Sequence, residues 1–449
     1  MLTLSFSRLF YLDALSAIML SFIVLMSVIV GTFARRYLRG DHRYKPFFSW
    51  YFLLATSLIM LSMANHSGLF LFTFILSNLL AIRLMTHQAA WKAARNGGKL
   101  ATIYTCILGT VSLLFALMIL FFLTGQTTIQ AILQTINPHD VWSQLAALFI
   151  LLAVLVQTAS WPFYRWLLSS LNAPTPVNAL VQTVLVSVGV YVLVRFAPLY
   201  VAHTWLMIGL FVLGLSTALL GTVWKLIQAN TNSMLTTATL EQMGWTLALC
   251  GLGLFPAAIL QFYCHGFVKA HLLLSAERNR PRTHVVNQPI PAVTSFSIAL
   301  FGGLMSSYLF VCISQVDWFL LDTTLFLVIM TFITATQFSM AWLTYPSWKT
   351  CCTTWLLVLL LSGLYGLNLQ FMTNLLQPMQ LMIAQPLNVL HIIGLLLIML
   401  VALLMLFKEV LSKRQLIAPI FVKLYVNALN ASQAHPTTIT AIRQHYRYE

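Results

Sequence analysis

The stretch TTATLEQMGWTLALCGLGLFPAAILQFYCHGFVKAHLLLSA, residues 236–276, decides the fold. It contains two apolar runs, near 233–255 and 257–277, in which Glu241, Lys269 and Glu277, at the very end of the second run, are the only residues with a formal charge at pH 7. A helix of about 20 apolar residues crosses the hydrocarbon core of a bilayer, which is roughly 30 Å thick. Neither run alternates with the two-residue period of an outer-membrane strand. The stretch therefore predicts two consecutive transmembrane helices.

The rest of the chain has the same character. Of its 449 residues, 60% are hydrophobic and 7% are charged, whereas soluble domains have about 25% charged residues. This composition excludes a soluble enzyme, a disordered protein and a nucleic-acid binder, despite a net charge of +15. Runs long enough to span number about 13 and predict an all-α polytopic transmembrane bundle. They lie near 9–33, 49–65, 69–86, 101–124, 144–160, 177–200, 204–224, 233–255, 257–277, 293–314, 323–343, 353–370 and 386–407.

Basic residues predict the orientation of the bundle. Of the 24 lysines and arginines, all but Arg8, Arg195 and Lys269 fall on one side when the runs are threaded alternately through a membrane. Because positive loops stay in the cytoplasm, we expect the N-terminus outside and the C-terminus inside a bacterial inner membrane. The chain predicts a membrane domain over residues 1–410 and a cytoplasmic, amphipathic tail over 411–449.

Ionisable residues inside membrane spans are costly and mark candidate functional sites. Glu241 lies well inside the eighth run. Two interpretations stand beside each other: a carboxylate hydrogen-bonded to a neighbouring helix, or a functional group that is either a proton acceptor or the counter-ion of Lys269. Asp13, near the outer end of the first run, favours a structural role as a helix cap or an interfacial residue.

The densest group of polar side chains is in CHGFVKAH, residues 264–271. His265 and Lys269 are four residues apart and share one helical face, with His271 on a flank. Histidine titrates near neutral pH and burial disfavours the charged form of lysine, so the pair could pass protons through a dry interior. The alternative is a packing pair bonded to backbone carbonyls.

A proline-rich stretch at 160–183 predicts interrupted helices. Its prolines remove backbone donors, and the freed carbonyls must line a cavity or be buried in protein. The stretch brings Gln157 and Gln182 towards the centre of the bundle, where they are candidates to shape a water-filled cavity or to bond neighbouring helices. Six scattered cysteines have no metal-ligand spacing, and we expect neither metal nor cofactor in this chain.

Three blocks of sequence resemble a known superfamily. LLSSLNAPTPVNALVQTVLVSVGVYVLVRFAPL, the stretch quoted first, and YLDALSAIMLSFIVLMSVIVGTFARRYLRGD are similar to the antiporter-like, proton-translocating subunits of respiratory complex I. Within it, RWLLSSLNAPTPV and KLYVNALN resemble the DabB-type membrane subunit of bacterial inorganic-carbon transporters. The resemblance implies inverted repeats of broken helices and an antiporter-like core over about 100–345.

It also implies a function and a partner. DabB-type subunits are thought to conduct protons and so drive conversion of CO₂ to bicarbonate by a large, soluble, zinc-containing DabA-type subunit on the cytoplasmic face. The resemblance retains His265 and Lys269, whereas Gln157 and Gln182 stand where the superfamily has lysine and histidine. The candidate path therefore comprises Lys269, His265, Glu241, Gln157, Gln182 and His271.

Two other functions remain open on sequence alone. The chain could be an antiporter-like subunit of a complex I-type NADH–quinone oxidoreductase, although the lateral helix of that subunit is absent from this sequence. It could also be a non-conducting membrane anchor that docks an acidic partner through basic loops 34–47 and 278–292. None of the three makes this chain an enzyme by itself, because it has no nucleophile or phosphate-binding motif.

Overall fold

The computed structural model describes residues 8–87, 91–276, 293–316, 322–343, 347–406, 419–435 and 438. Each predicted run contains a helix, and ten helices in the described part of the chain are long and apolar enough to cross a membrane. The all-α prediction is confirmed. The helices are α1 (Ala14–Tyr37), α2 (Tyr44–Met63), α3 (Ser67–Met85), α4 (Lys92–Ala101), α5 (Thr110–Thr124), α6 (Ile129–Thr135), α7 (Val141–Gln157), α8 (Arg165–Ser169), α9 (Thr175–Leu180), α10 (Val186–Arg195), α11 (Ala197–Val201), α12 (Thr204–Ile227), α13 (Thr231–Gly251), α14 (Phe255–Ala276), α15 (Val293–Ser314), α16 (Leu325–Trp342), α17 (Trp348–Leu376), α18 (Val389–Leu406) and α19 (Pro419–Ala431).

The chain divides into two compact units. The first comprises Met1–Ala248, Gln261–Arg280 and Tyr425–Glu449, and the second comprises Leu249–Leu260 and Pro281–Leu424. The predicted boundary between membrane domain and tail, at residues 410 and 411, lies outside the described residues, as does the basic loop 278–292. The division into membrane domain and tail therefore stays a prediction.

The predicted helix interruption in the first unit is confirmed. Helix α7 ends at Gln157, and Ala159 has a φ of 54°, which takes the backbone out of helical geometry. Pro174 caps α9 and Pro176 lies in its first turn. Proline is tolerated there because the first N–H groups of a helix have no intrahelical acceptor. Because of the interruption, the short helix α8 lies between α7 and α9, and backbone groups at the helix ends are left without intrahelical partners.

Wide, π-helical turns continue two of the helices. Residues Val181–Leu185 join α9 to α10 in this conformation, and Thr102–Gly109 join α4 to α5. Such turns are rare and are often found at functional sites. The first of them carries Gln182, one of the predicted site residues.

Helices α12 and α13 pack with their backbones in close approach. A Cβ added to Gly221 would lie 2.5 Å from the backbone nitrogen of Glu241, and side chains at Gly214 and Gly244 would also collide with the facing helix. Small residues let membrane helices approach closely, since lipid supplies no hydrophobic drive to bring them together. This packing fixes the position of Glu241 against α12.

Aromatic packing fixes the part of α14 that lies in the first unit. Phe22 of α1 is fully buried and contacts Phe262 edge-to-face, with ring centroids 5.6 Å apart. Gly266 makes room for the ring of Phe22. In addition, the side chain of Gln261 donates to that of Gln242 on α13. These contacts fix α14 against α1 and α13.

The second unit is built around α15 to α18. Its helices pack through small residues, with Gly302 against Trp355 and Gly303 against Thr336. An extended segment after α17 bonds back to the turn before α14, where the N–H of Ile383 donates to the carbonyl of Gly253 over 3.1 Å. Gly253 has a φ of +77°, and a side chain there would overlap the carbonyl of Ile383. The turn therefore requires glycine.

Candidate functional site

Lys269 is the most deeply buried ionisable side chain of the predicted path, with 1% of its surface exposed. Its Nζ donates to the backbone carbonyl of Leu235 on α13. His265 lies one turn earlier on the same helical face, and its buried Nε2 has no hydrogen-bond partner among the described residues. An ammonium group and an unpartnered imidazole nitrogen thus share one side of α14. His271 is exposed, and the structure does not bring it to this face.

Glu241 is held by α12 and not by α14. Its Oε2 lies 2.5 Å from Nζ of Lys225, and its Oε1 accepts from the hydroxyl of Thr222 over 3.0 Å. Both carboxylate oxygens are thus engaged by α12, and no direct ion pair with Lys269, one of the alternatives left open by the sequence, is present among the described residues. Hydrogen bonding to a neighbouring helix, the other interpretation, is what the structure shows.

Lys225 was missed as a member of this site. Its position at the end of a run predicted only a cytoplasmic charge, whereas 31% of its side chain is exposed and its ammonium turns inward to the carboxylate. Position along the hairpin gave no signal of this pair, because Lys225 lies two residues before the end of α12 whereas Glu241 lies ten residues after the start of α13.

Gln182 occupies the centre of a hydrogen-bonded group. Its Nε2 donates to Oδ1 of Asn178 over 2.8 Å and to the hydroxyl of Thr236 over 2.9 Å. Its Oε1 accepts from the hydroxyl of Thr239 over 2.9 Å. Both donors and the acceptor of this fully buried amide are therefore satisfied, which holds it in one orientation.

A continuous polar connection joins Gln182 to Lys269. The hydroxyl of Thr239 lies 3.3 Å from the carbonyl of Leu235, the same oxygen that accepts from Lys269. Because a hydroxyl has one proton, Thr239 can donate either to Gln182 or to this carbonyl. Two of the predicted site residues are thus linked through one hydroxyl and one carbonyl of α13.

Gln157 belongs to a different group. From the end of α7, its Nε2 donates to Oδ1 of Asn78 over 3.2 Å and to the carbonyl of Leu185 over 3.0 Å. Its Oε1 is buried without a hydrogen-bond partner among the described residues. A buried amide oxygen with no donor suits a water molecule, which agrees with the predicted role in shaping a water-filled cavity. That role stays a prediction.

Two further acids have structural partners. Asp13 caps α1 by accepting from the N–H of Ser16 over 2.8 Å, as the sequence predicts, and also pairs with the buried Arg195, which the sequence did not predict. Asp41, in the loop after α1, accepts from the N–H of Arg43 over 2.8 Å, and this bond holds the pKa of its carboxyl below the usual value. Neither acid belongs to the Lys269 group.

Three of the predicted site residues, Lys269, His265 and Glu241, have ionisable side chains, whereas the amides and hydroxyls of the group can only donate and accept hydrogen bonds. Among the described residues, no group of three His, Cys, Asp or Glu side chains could hold a metal ion. A helical membrane bundle with ionisable side chains buried beside a helix break is the arrangement of an ion-translocating membrane subunit.

Comparison with known proteins agrees with this class. Residues 64–314 match the family described as NADH:quinone oxidoreductase/Mrp antiporter, transmembrane region. Residues 1–48 match the N-terminus of chain 5 of complex I, NADH-ubiquinone oxidoreductase. The first match covers more than half of the 449 residues of this chain. The chain therefore belongs to the NADH:quinone oxidoreductase/Mrp antiporter transmembrane family.

Several relatives are named as transporter subunits. The chain is 32% identical over 300 residues, 66% of its length, to the probable inorganic carbon transporter subunit DabB of Bacillus subtilis, and 29% identical over 343 residues to that of Bacillus anthracis. It is also 29% identical over 271 residues to NADH-quinone oxidoreductase subunit L of Pseudomonas aeruginosa. These matches span 59%, 64% and 44% of the relatives' own lengths.

A solved structure shares the fold. The Mrp complex from Dietzia sp. DQ12-45-1b contains a chain that superposes with a TM-score of 0.57 over 95% of this chain and 45% of its own length. At 18% sequence identity, this likeness extends to the fold alone. The predicted antiporter-like bundle is confirmed.

Proposed function

We propose that this chain is the membrane subunit of an inorganic-carbon transporter and conducts protons through Lys269. The observation that carries the proposal is the buried connection from Lys269 through the Leu235 carbonyl and Thr239 to Gln182. Among the described residues no carboxylate contacts the lysine directly. His265, one turn away with a buried unpartnered nitrogen, lies on the same face of α14 and is a candidate to exchange protons with it.

The partner would carry out the chemistry on carbon. Hydration of CO₂ by water gives bicarbonate and one proton, and a zinc-bound hydroxide is the usual nucleophile for it. The described residues of this chain offer no zinc site, so we propose that the zinc belongs to a large soluble DabA-type subunit on the cytoplasmic face. Proton flow through this chain would keep that conversion one-way. The similarity to subunits named DabB supports this assignment.

Basic residues support the proposed cytoplasmic face. We propose a bacterial inner membrane with the N-terminus outside, because exposed Arg35 at the end of α1, Arg39 in the loop that follows and Lys45 at the start of α2 lie where positive charge is retained. The same loop would offer the acidic surface of a partner a place to dock.

A second candidate function is an antiporter-like subunit of a complex I-type NADH–quinone oxidoreductase. The similarity to subunit L favours it. Opposing it are Gln157 and Gln182, which stand where the resemblance implies lysine and histidine and which are both fixed by hydrogen bonds to neutral groups. A non-conducting anchor is the third, and it predicts that Lys269 has no role in transport.

Replacing Lys269 by Gln tests the proposal. In cells that also express the soluble partner, K269Q should abolish the uncoupler-sensitive accumulation of bicarbonate, because glutamine cannot carry a proton. Exposed Lys349 supplies the control, and K349Q should accumulate bicarbonate like the parent. The measurement is uptake of labelled inorganic carbon with and without a protonophore.

Three outcomes distinguish the candidate functions. Loss in K269Q with the control intact supports proton-driven carbon transport. Undiminished, protonophore-sensitive uptake in K269Q would remove Lys269 from the mechanism and favour the anchor. Restoration of NADH-dependent quinone reduction, without bicarbonate uptake, would assign the chain to the oxidoreductase instead.

A further inference from the structure

Residues after the last long helix pack onto the first unit. Here the clamp segment denotes residues 428–435 together with Thr438. Its Ala428, Ala431 and Ala434 lie against a cluster of four buried side chains, which are Tyr164, Leu168, Trp224 and Leu240. The first two belong to the interrupted region after α7, and the other two to α12 and α13. The clamp segment thus contacts both elements that carry the polar groups of the site.

Five hydrogen bonds fasten it, and they include a second one from Gln228, to the carbonyl of Ser432, and one from the side-chain amide of Asn172 to the carbonyl of Thr438. The hydroxyl of Tyr164 donates to the carbonyl of Ala431 over 2.7 Å, and Nε2 of Gln228, after the end of α12, donates to Oγ of Ser432 over 2.7 Å. The hydroxyls of Ser169 and Thr438 lie 3.2 Å apart. Because the apolar contact is made by alanines, which bury little surface, these bonds decide where the segment sits.

The fastening points lie next to the path. Ser169 is followed by Ser170, whose hydroxyl donates to Oδ1 of Asn178 over 3.0 Å. The same oxygen accepts from Nε2 of Gln182. On the other side, buried Leu240 precedes Glu241 in α13. We therefore expect a displacement of the clamp segment to move Gln182, through these hydrogen bonds, and Glu241, through the adjacent residue Leu240.

We propose that the clamp segment positions Gln182, and with it the connection to Lys269, by holding the interrupted region against the α12–α13 hairpin. This inference rests on the proposed proton path. The residues of the clamp segment are positioning residues: they hold other groups in place and accept no proton from the path. Release of the segment would let Asn178 move and would break the bond that orients the Gln182 amide.

A reversible cross-link tests the proposal. In a background with the six native cysteines replaced by alanine, a loosened variant, Y164F/Q228A, removes three of the five bonds. Adding S169C/T438C puts two thiols where hydroxyls lie 3.2 Å apart. In proteoliposomes with a pH-sensitive dye, the loosened variant should take up protons about tenfold more slowly. Oxidation of the added cysteines should restore the rate, and dithiothreitol should remove it again.

A second measurement is independent of conduction. Hydrogen exchange by mass spectrometry should show faster exchange of peptides covering 175–185 in the loosened variant, with protection regained on oxidation. Peptides covering α2 serve as the internal control and should not change. Exchange at 175–185 that is the same in loosened, oxidised and reduced forms would overturn the clamp. Absence of proton uptake in the parent would instead contradict the proposed function, while the exchange data would still decide the clamp.

Discussion

The buried charges of the first unit are held by three kinds of partner. Arg195 has a carboxylate, Asp13, and Glu241 has an ammonium, Lys225. Lys269 has a backbone carbonyl. A buried ion pair is compensated in place, whereas a lysine on a carbonyl keeps an uncompensated charge for as long as it is protonated. At the scale of single residues, this difference in partner sets Lys269 apart from the two paired charges and supports its choice as the residue to test.

The Asp13–Arg195 pair yields a prediction about stability. Replacing Arg195 by Gln leaves Asp13 buried without its cation and should destabilise the protein by about 3–5 kcal/mol. In the double variant D13N/R195Q no charge is left unpaired, and Asn still caps α1. Its apparent Tm in detergent should therefore exceed that of R195Q. An equal or lower Tm of the double variant would show that the pair does not act as a charge pair.

At the scale of elements, the site depends on how closely two helices approach. The carboxylate of Glu241 meets Lys225 and Thr222 because Gly221 lets the backbones of α12 and α13 touch. The Thr239 hydroxyl and the Leu235 carbonyl are on the same α13, so they too are placed by this packing. The glycine is thus a structural condition of the site rather than part of its chemistry.

A leucine in place of Gly221 should force α12 and α13 apart. The cost of such overpacking is about 1–3 kcal/mol or more, and we expect a lower apparent Tm with loss of proton uptake. Gly209 on the same helix provides a matched control, because a Cβ there meets nothing within 4 Å. G209L should therefore keep the Tm of the parent. Similar losses in both variants would argue against a specific role of the close approach.

At the scale of the whole molecule, charge distribution predicts the direction in which the chain crosses the membrane. The loop before α2 is basic, whereas the loop between α5 and α7 has no lysine or arginine. In intact cells and a background lacking the native cysteines, a membrane-impermeant maleimide should label a cysteine at exposed Asn137. It should label one at exposed His42 only after permeabilisation. The reverse pattern would invert the proposed orientation.

The sequence by itself determined the class of fold and the position of each span. It did so because lipid admits only long apolar helices, whose lengths and flanking charges can be counted along the chain. It also predicted interrupted helices over 160–183, since proline removes a backbone donor wherever the helix lies. His265 and Lys269 were placed on one face by their spacing alone.

Only the tertiary structure decided which groups meet. In the structure Glu241 forms an ion pair with Lys225, and Arg195 forms one with Asp13, which is 182 residues away in the chain. His271 is exposed. Hydrogen bonds act over about 3 Å, so a partner depends on how deeply two helices interpenetrate and on how each is rotated. The depth and rotation of each helix are set by packing between helices, at positions such as Gly221 and Phe22. The hydrophobic pattern of a single helix does not determine them.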